Sequence, residues 1–168
     1  MSTCLVLIDL QKGFLEKETV RFLPEKLMGL VRSRHFDHIV ATQFQNTPGS
    51  VFQRFLGWDG MMDEKSQAVD SRILPLVERV FVKQGYTCFT EEFCDFIKTE
   101  GISCLVFAGV DTDACVLKTA LDCFERGIPF SVLWEYCGSS GGERIEEAAY
   151  QILLRNIGRK QIESFIFG

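Results

Sequence analysis

The stretch GISCLVFAGVDTDACVLKTAL, residues 101–121, decides how the chain folds. Its first half contains an unbroken apolar run, CLVFA, which is typical of a strand buried on both faces of a parallel sheet. Apolar residues then recur at helical spacing from Val116 onward, which predicts a helix capped by Asp111 or Thr112. We therefore expect Cys115 in the first turn of this helix, just beyond the carboxyl end of a central strand.

Cys115 is the first candidate for a functional residue. Open α/β sheets bind their ligands beyond the carboxyl ends of the strands. At the start of a helix, unpaired backbone N–H groups and the positive end of the helix dipole favour a thiolate over a thiol. The position therefore predicts a nucleophile with a lowered pKa.

The remainder of the chain alternates between the two kinds of pattern. Further strands are predicted at 4–9, 38–42, 80–82, 129–134 and 162–167, and helices at 24–34, from about 90, and at 143–156. Repeated βα units with short connections imply a doubly wound, Rossmann-like α/β fold with three α/β/α layers. We expect a six-stranded parallel sheet in the order 3-2-1-4-5-6, formed by residues 1–168 as a single domain.

The composition favours a small-molecule partner. A chain of 168 residues, 46% of them hydrophobic, is long enough for one complete core. The net charge of −5 provides no basic patch for phosphates, so we expect neither nucleic acid nor a membrane as a partner. The first apolar run is too short to span a bilayer, no signal peptide precedes it, and the seven cysteines lack CxxC spacing. These features predict a cytoplasmic protein.

One connection, residues 43–69, is too long for a simple turn. It is rich in aromatic residues and glycines and shows only weak helical spacing. Long connections inside compact domains are usually lids or contact surfaces, although these aromatic side chains could simply pack the loop onto the domain. Because the loop is apolar, it is a reasonable surface for contact with another copy of the chain.

Two charged residues are predicted to lie near Cys115. Asp9 ends the first strand and Lys83 follows the third, so both reach the carboxyl edge of the sheet. A network is possible in which Lys83 lowers the thiol pKa and Asp9 takes the thiol proton. In the expected strand order Lys83 starts about 10 Å from the first strand and must reach inward. The histidines, His35 and His38, precede the second strand and lie at the opposite edge, which disfavours a Cys–His pair and a metal site.

The same residues resemble the signature blocks of the isochorismatase-like cysteine hydrolases. The three blocks are LIDLQKGF at 7–14, VFVKQGY at 80–86 and GVDTDACV at 109–116. The resemblance implies that Asp9, Lys83 and Cys115 form a catalytic triad. It also implies a cis peptide bond between Val110 and Asp111, and an oxyanion hole formed by the backbone N–H groups of Asp111 and Cys115.

The resemblance also implies a homo-oligomer, a dimer or larger, and a reaction class. The family includes nicotinamidases and other amide hydrolases that use the cysteine, and isochorismatases that cleave a vinyl ether without it. Having Cys115 favours hydrolysis of an amide-type C–N bond of a small molecule through a thioester, with Asp9 as acid and base and Lys83 as charge stabiliser. Metal-binding nicotinamidases carry an Asp and two histidines after the second strand, where this chain reads TQFQNTPG. We therefore expect no metal and no cofactor.

The substrate pocket is predicted only loosely. Phe14, by the resemblance, and Phe44 and Trp58, by their place on the long connection, could form an apolar wall. Gln11 and Gln45 could orient an amide. Core packing is an equally good explanation for each aromatic residue.

Two other functions stay open from the sequence. An accessible thiol of low pKa could act in redox chemistry, with Cys88, Cys94 or Cys137 as the resolving cysteine. Alternatively, the chain could be a family member that binds a ligand or partner without turnover.

Overall fold

The computed structural model describes residues 2–163, which contain a parallel sheet of five strands in the order 3-2-1-4-5. The strands are β1 Thr3–Ile8, β2 His38–Phe44, β3 Arg79–Lys83, β4 Cys104–Val110 and β5 Phe130–Gly138. This confirms the parallel α/β fold and the predicted order of the first five strands.

The sixth predicted strand, at 162–167, is not shown. Lys160–Glu163 form a short helix, and residues 164–168 lie outside the described part of the chain. The helices are α1 Lys12–Leu15, α2 Leu23–Ser33, α3 Val51–Leu56, α4 Glu64–Gln67, α5 Glu91–Thr99, α6 Cys115–Glu125, α7 Glu143–Ile157 and α8 Lys160–Glu163, with a 3₁₀ turn at Leu74–Leu76. Within residues 2–163, no helix combines the length and apolar character needed to cross a bilayer.

Helices cover both faces of the sheet and give three layers. The alternation of β1 shows this directly, since Cys4, Val6 and Ile8 pack into one hydrophobic cluster and Leu5 and Leu7 into another. The first cluster includes buried residues of α5, α6 and α7, and the second those of α2. A strand buried on both sides needs apolar residues at every position, which explains the unbroken apolar runs in the sequence.

The carboxyl ends of β1 and β4 approach each other closely at Gly109. Ile8 pairs with Gly109, whose φ of 128° lies in a region that side chains disfavour. A Cβ added there would lie 2.2 Å from the carbonyl oxygen of Ile8. Glycine at this position therefore lets β4 pair with β1 up to Ile8, the residue before Asp9.

The helices α5 and α6 begin differently. The side chain of Thr90 accepts a hydrogen bond from the backbone N–H of Phe93 and caps α5. The prediction that Asp111 or Thr112 caps α6 was wrong, because α6 begins after Ala114 without a side-chain cap. The Asp111 carboxylate bonds to Ser140 instead.

The long connection is more ordered than its sequence suggested. It contains α3 and α4, two helices of 6 and 4 residues. Ser50 caps the first and Asp63 the second, and Gly57 ends the first in a left-handed conformation. These local signals are typical of short helices, which are too short to show an apolar periodicity.

Replacing Gly109 by Ala should disrupt the contact between β1 and β4, because the new Cβ meets backbone that cannot move aside. We expect the free energy of unfolding to fall by more than about 2 kcal/mol, measured by urea denaturation. Gly29→Ala, in α2 with open space around it, is the control and should be neutral or stabilising by up to about 1 kcal/mol. Equal stabilities of the two variants would contradict the assigned role of Gly109.

Candidate active site

Asp9, Lys83 and Cys115 come together at the carboxyl edge of the sheet. Asp9 follows β1, Lys83 is the last residue of β3, and Cys115 is the first residue of α6. The Lys83 ammonium nitrogen lies 2.7 Å from Oδ2 of Asp9 and 3.2 Å from the sulfur of Cys115. The strand order places β2 between β3 and β1, and the lysine side chain reaches past β2 to Asp9.

The ammonium group of Lys83 has a defined set of acceptors. It donates hydrogen bonds to the carbonyl oxygens of Gly85 at 2.9 Å and Tyr86 at 3.1 Å, and to Cys115. Its shortest contact is the buried ion pair with Oδ2 of Asp9 at 2.7 Å, a distance typical of a charge-assisted hydrogen bond. The Asp9 carboxylate therefore lies within reach of both the ammonium and the thiol.

Thr42 fixes the orientation of Asp9. Its hydroxyl donates to Oδ1 of Asp9 at 2.7 Å and accepts from the backbone N–H of Asp9 at 3.1 Å. Thr42 is fully buried on β2, the strand beside β1. The sequence analysis missed this residue. The signal was a hydroxyl residue near the end of a buried strand that neighbours the strand ending in Asp9.

The pKa of Cys115 is shifted in the direction opposite to our expectation. Burial raises the pKa of the thiol well above its usual value, the negative charge of Asp9 raises it further, and Lys83 only partly opposes this. Cys115 is only 6% exposed, so desolvation of a thiolate outweighs the helix dipole. The resting residue is therefore a neutral thiol.

Lys83 itself stays charged. Burial disfavours its ammonium form, but the charge of Asp9 and the neighbouring sulfur of Cys115 outweigh burial and raise the pKa of Lys83 above its usual value. The pair of Asp9 and Lys83 thus carries one negative and one positive charge and adds no net charge to the site.

The turn between β4 and α6 forms the floor of the site. The peptide bond from Val110 to Asp111 is cis. The Asp111 carboxylate accepts hydrogen bonds from the backbone N–H of Ser140 at 2.8 Å and its hydroxyl at 2.7 Å. Within residues 2–163 the backbone N–H groups of Asp111 and Cys115 donate to no other group. Both are free to bind an oxygen atom.

A cavity of about 630 Å³ opens onto Cys115. Phe14, Phe44 and Trp58 line it, with ring centroids 6.0 to 6.4 Å apart. Phe52 and Met61 extend this wall, and these two were missed because their spacing does not distinguish them from core residues. The wall is therefore built mainly from the long connection.

Two of the predicted pocket residues do not line the cavity. Gln11 is fully buried, and its amide bonds to the backbone of Phe44 and Gln67, so it has no group left for a ligand. Gln45 lies away from the cavity and donates to the side chain of Gln43. The prediction that these amides orient a substrate is therefore corrected: Gln11 fastens the long connection to β2.

The long connection also has an exposed apolar side. Phe55 and Leu56 of α3 are 78% and 65% exposed. This surface is consistent with the expected contact between copies of the chain, which stays a prediction.

The residues after β2 do not fit a metal ion. Asn46 uses its amide to hold the long connection, donating to the carbonyls of Trp58 and Gly60 and accepting from Thr47 and Ser50. His38 pairs with Glu78 at the other end of β2. In the described part of the chain, no three His, Cys, Asp or Glu residues are grouped to hold a metal.

Comparisons with known proteins identify the family and related folds. The family model of the isochorismatase domain matches residues 3–159. The fold is similar to that of the Bacillus subtilis nicotinamidase, with a TM-score of 0.83 at 20% identity over 98% of this chain and 100% of that one. N-carbamoylsarcosine amidase from Thermoplasma acidophilum gives 0.76 at 22% identity, covering 94% of each chain.

A third structure concerns the metal. The pyrazinamidase of Pyrococcus horikoshii, solved in complex with zinc, gives a TM-score of 0.75 at 19% identity, covering 96% of this chain and 97% of that one. The search of curated proteins finds no match. Residues 42–49 of this chain, at and after the end of β2, contain no histidine.

Replacing Thr42 by Val keeps the side-chain shape but leaves the N–H and Oδ1 of Asp9 without partners in a fully buried site. We expect the free energy of unfolding to fall by about 1–3 kcal/mol in urea denaturation. Thr42→Ser keeps the hydroxyl and is the control. A valine variant as stable as the wild type would show that these hydrogen bonds contribute nothing.

Cys115 should show an elevated pKa in its reactivity. Because burial and Asp9 favour the thiol, we expect the midpoint of its alkylation rate against pH to lie above about 8.5, the value for a free cysteine. The rates are measured by peptide mass spectrometry with iodoacetamide, with glutathione as the reference. A midpoint below neutral pH would show a resting thiolate and contradict this assignment.

Proposed function

The chain belongs to the isochorismatase family, and from this premise we propose that it is a cysteine hydrolase that cleaves the C–N bond of a small amide. One observation carries the proposal. A buried lysine ammonium lies 2.7 Å from a carboxylate and 3.2 Å from a thiol that borders a cavity. A nucleophile, a base and a compensating cation are then in mutual reach at a ligand site.

Acylation starts from the thiol. The sulfur of Cys115 attacks the amide carbonyl, and its proton moves to the carboxylate of Asp9, which the Lys83 ammonium holds at 2.7 Å. The carbonyl oxygen becomes an oxyanion, for which the free N–H groups of Asp111 and Cys115 are the available donors. Asp9 then gives its proton to the leaving nitrogen. The C–N bond breaks, the amine or ammonia departs, and a thioester remains.

Deacylation repeats these roles with water. The oxygen of a water molecule attacks the thioester carbonyl, and Asp9 takes a proton from that water. The C–S bond breaks, Cys115 recovers its proton from Asp9, and the carboxylic acid is released. Asp9 thus acts as base and acid in each half of the reaction, and the cycle ends in the starting state.

Lys83 supports these proton transfers without giving up its own proton. Its raised pKa keeps it protonated throughout, so it stabilises whichever of Asp9 and Cys115 carries the negative charge. Transfer of the proton from sulfur to carboxylate moves the charge by a short distance beside a fixed ammonium. Since charge separation in a buried site is costly, this is the main electrostatic contribution of the lysine.

The redox function has less support. Burial raises the pKa of Cys88 to about 11 and that of Cys137 to about 12, and Cys115 is also a thiol at rest. Redox-active cysteines usually combine low pKa with exposure. A family member that binds without turnover stays an outcome of the experiment below.

The experiment is a screen of small amides for release of ammonia, with the matching carboxylic acid quantified in the same samples. We expect one acid for each ammonia. Cys115→Ala should lower the rate by at least about 10³-fold, because the nucleophile is lost. Cys94→Ala is the matched control, since this cysteine does not line the cavity, and it should keep the wild-type rate.

A Cys115→Ala variant that hydrolyses amides at the wild-type rate would contradict the proposed nucleophile. Binding of amides without any hydrolysis would favour the non-catalytic family member.

A further inference from the structure

Cys88 is a fully buried thiol to which the proposed reaction gives no role. It lies on the segment between β3 and α5, two residues after Tyr86, whose carbonyl oxygen accepts a hydrogen bond from the Lys83 ammonium. Burial raises the pKa of Cys88 to about 11, so it is a neutral thiol with one proton to donate. Its polar contacts reach the helix that begins with Cys115 and the strand that orients Asp9.

On one side, Cys88 is bonded to α6. The hydroxyl of Thr119 accepts from the backbone N–H of Cys88 at 3.1 Å and donates to its sulfur at 3.2 Å. Thr119 is fully buried and follows Cys115 by four residues, so the two side chains lie on one face of the helix, one turn apart. Thr119 therefore fastens the first turns of α6 to the segment that follows β3.

On the other side, Cys88 faces Thr42 of β2. Its sulfur lies 4.0 Å from the Thr42 hydroxyl, a long contact in which the thiol is the donor. The hydroxyl proton of Thr42 is already donated to Oδ1 of Asp9 at 2.7 Å, which leaves its oxygen to accept. The protons of Thr119, Cys88 and Thr42 are thus all directed towards the carboxylate, and hydrogen bonds in series polarise one another.

We infer that Cys88 and Thr119 are positioning residues of the proposed hydrolysis, which join the helix that begins with Cys115 to the strand that orients Asp9. The inference rests on the proposed function, because the spacing that these residues set is the one that the proton crosses from thiol to carboxylate. Both residues lie outside the lining of the cavity, so they act through Cys115 and Asp9 and not on the substrate. A displacement of about 1 Å at reacting groups can cost about 10²-fold in rate.

A second buried thiol on α6 separates positioning from packing. Cys123 lies one turn beyond Thr119 on the same face, is also fully buried, and belongs to the same hydrophobic cluster as Cys88. Its sulfur donates to the carbonyl oxygen of Ile128 at 3.6 Å, near the far end of the helix. Replacing either cysteine by Ala removes one sulfur atom from the same core, but only Cys88 contacts Thr42 through that sulfur.

The test measures kcat and KM for an amide that the wild-type protein hydrolyses, with each rate divided by the amount of folded protein. We expect Cys88→Ala and Thr119→Val each to lower kcat by about tenfold or more and to change KM by less than about twofold. Thr119→Ser keeps the hydroxyl and should restore kcat close to the wild-type value. Cys123→Ala is the matched control and should keep the wild-type kcat and KM. Two positions are used so that a folding failure of one variant leaves the other.

Coupling to Thr42 provides a second readout. Because Cys88 acts through Thr42, Thr42→Val should itself lower kcat, and adding Cys88→Ala should lower it by less than about twofold more, since the connection is already broken. A residue that contributed only to packing would lower kcat by the same factor in both backgrounds, and that result would contradict the positioning role.

A wild-type kcat in Cys88→Ala or Thr119→Val, an equal loss of kcat in Cys123→Ala, or a raised KM with an unchanged kcat would each overturn the inference. A wild-type protein that hydrolyses no amide would instead lose the proposed function. Crystal structures of the Thr119→Val and Thr119→Ser variants then still test the connection. The valine variant should change the 3.2 Å separation of the Cys115 sulfur from the Lys83 nitrogen by at least about 0.5 Å, and the serine variant should not. An unchanged separation in the valine variant would contradict the inference.

Discussion

The buried ion pair between Asp9 and Lys83 is the constraint on which the site depends. The two side chains are 0% and 1% exposed, and each charge would cost several kcal/mol to bury alone. The two charges can pair because only one strand, β2, separates β3 from β1, and the lysine side chain is long enough to reach across it. Thr42 of that middle strand holds the carboxylate, and the carbonyls of Gly85 and Tyr86 hold the ammonium. Removing either charge leaves the other unpaired, at a cost of about 3–5 kcal/mol.

The same pair affects the protonation state of Cys115, the proposed nucleophile. If Lys83 stood alone beside Cys115, it would favour a thiolate, but Asp9 cancels much of its field, and burial keeps the thiol protonated. In the resting site the negative charge therefore lies on the carboxylate and the proton on sulfur. A neutral thiol is less prone to oxidation than a thiolate, which is consistent with seven free cysteines in one small chain.

The elements most readily predicted from sequence were those set by local pattern. Apolar runs predicted the strands, and the rule that parallel strands share one carboxyl edge placed Asp9 and Cys115 together. Properties set by distant contacts were harder to predict. The bonds of Gln11 to Phe44 and Gln67, and of Thr42 to Asp9, join residues separated by 33 to 56 positions, and no local pattern encodes them. The direction of the Cys115 pKa shift also depends on burial, which the first-turn position alone does not reveal.

The central claim is that an acyl group passes through the sulfur of Cys115. The most direct measurement is the partition of products when an amide is hydrolysed in the presence of hydroxylamine, compared with the methyl ester of the same acid. A common thioester predicts the same ratio of hydroxamate to acid from both substrates, because both reach the same intermediate before water or hydroxylamine attacks. Ratios that differ between amide and ester, or turnover that yields no hydroxamate, would contradict the claim.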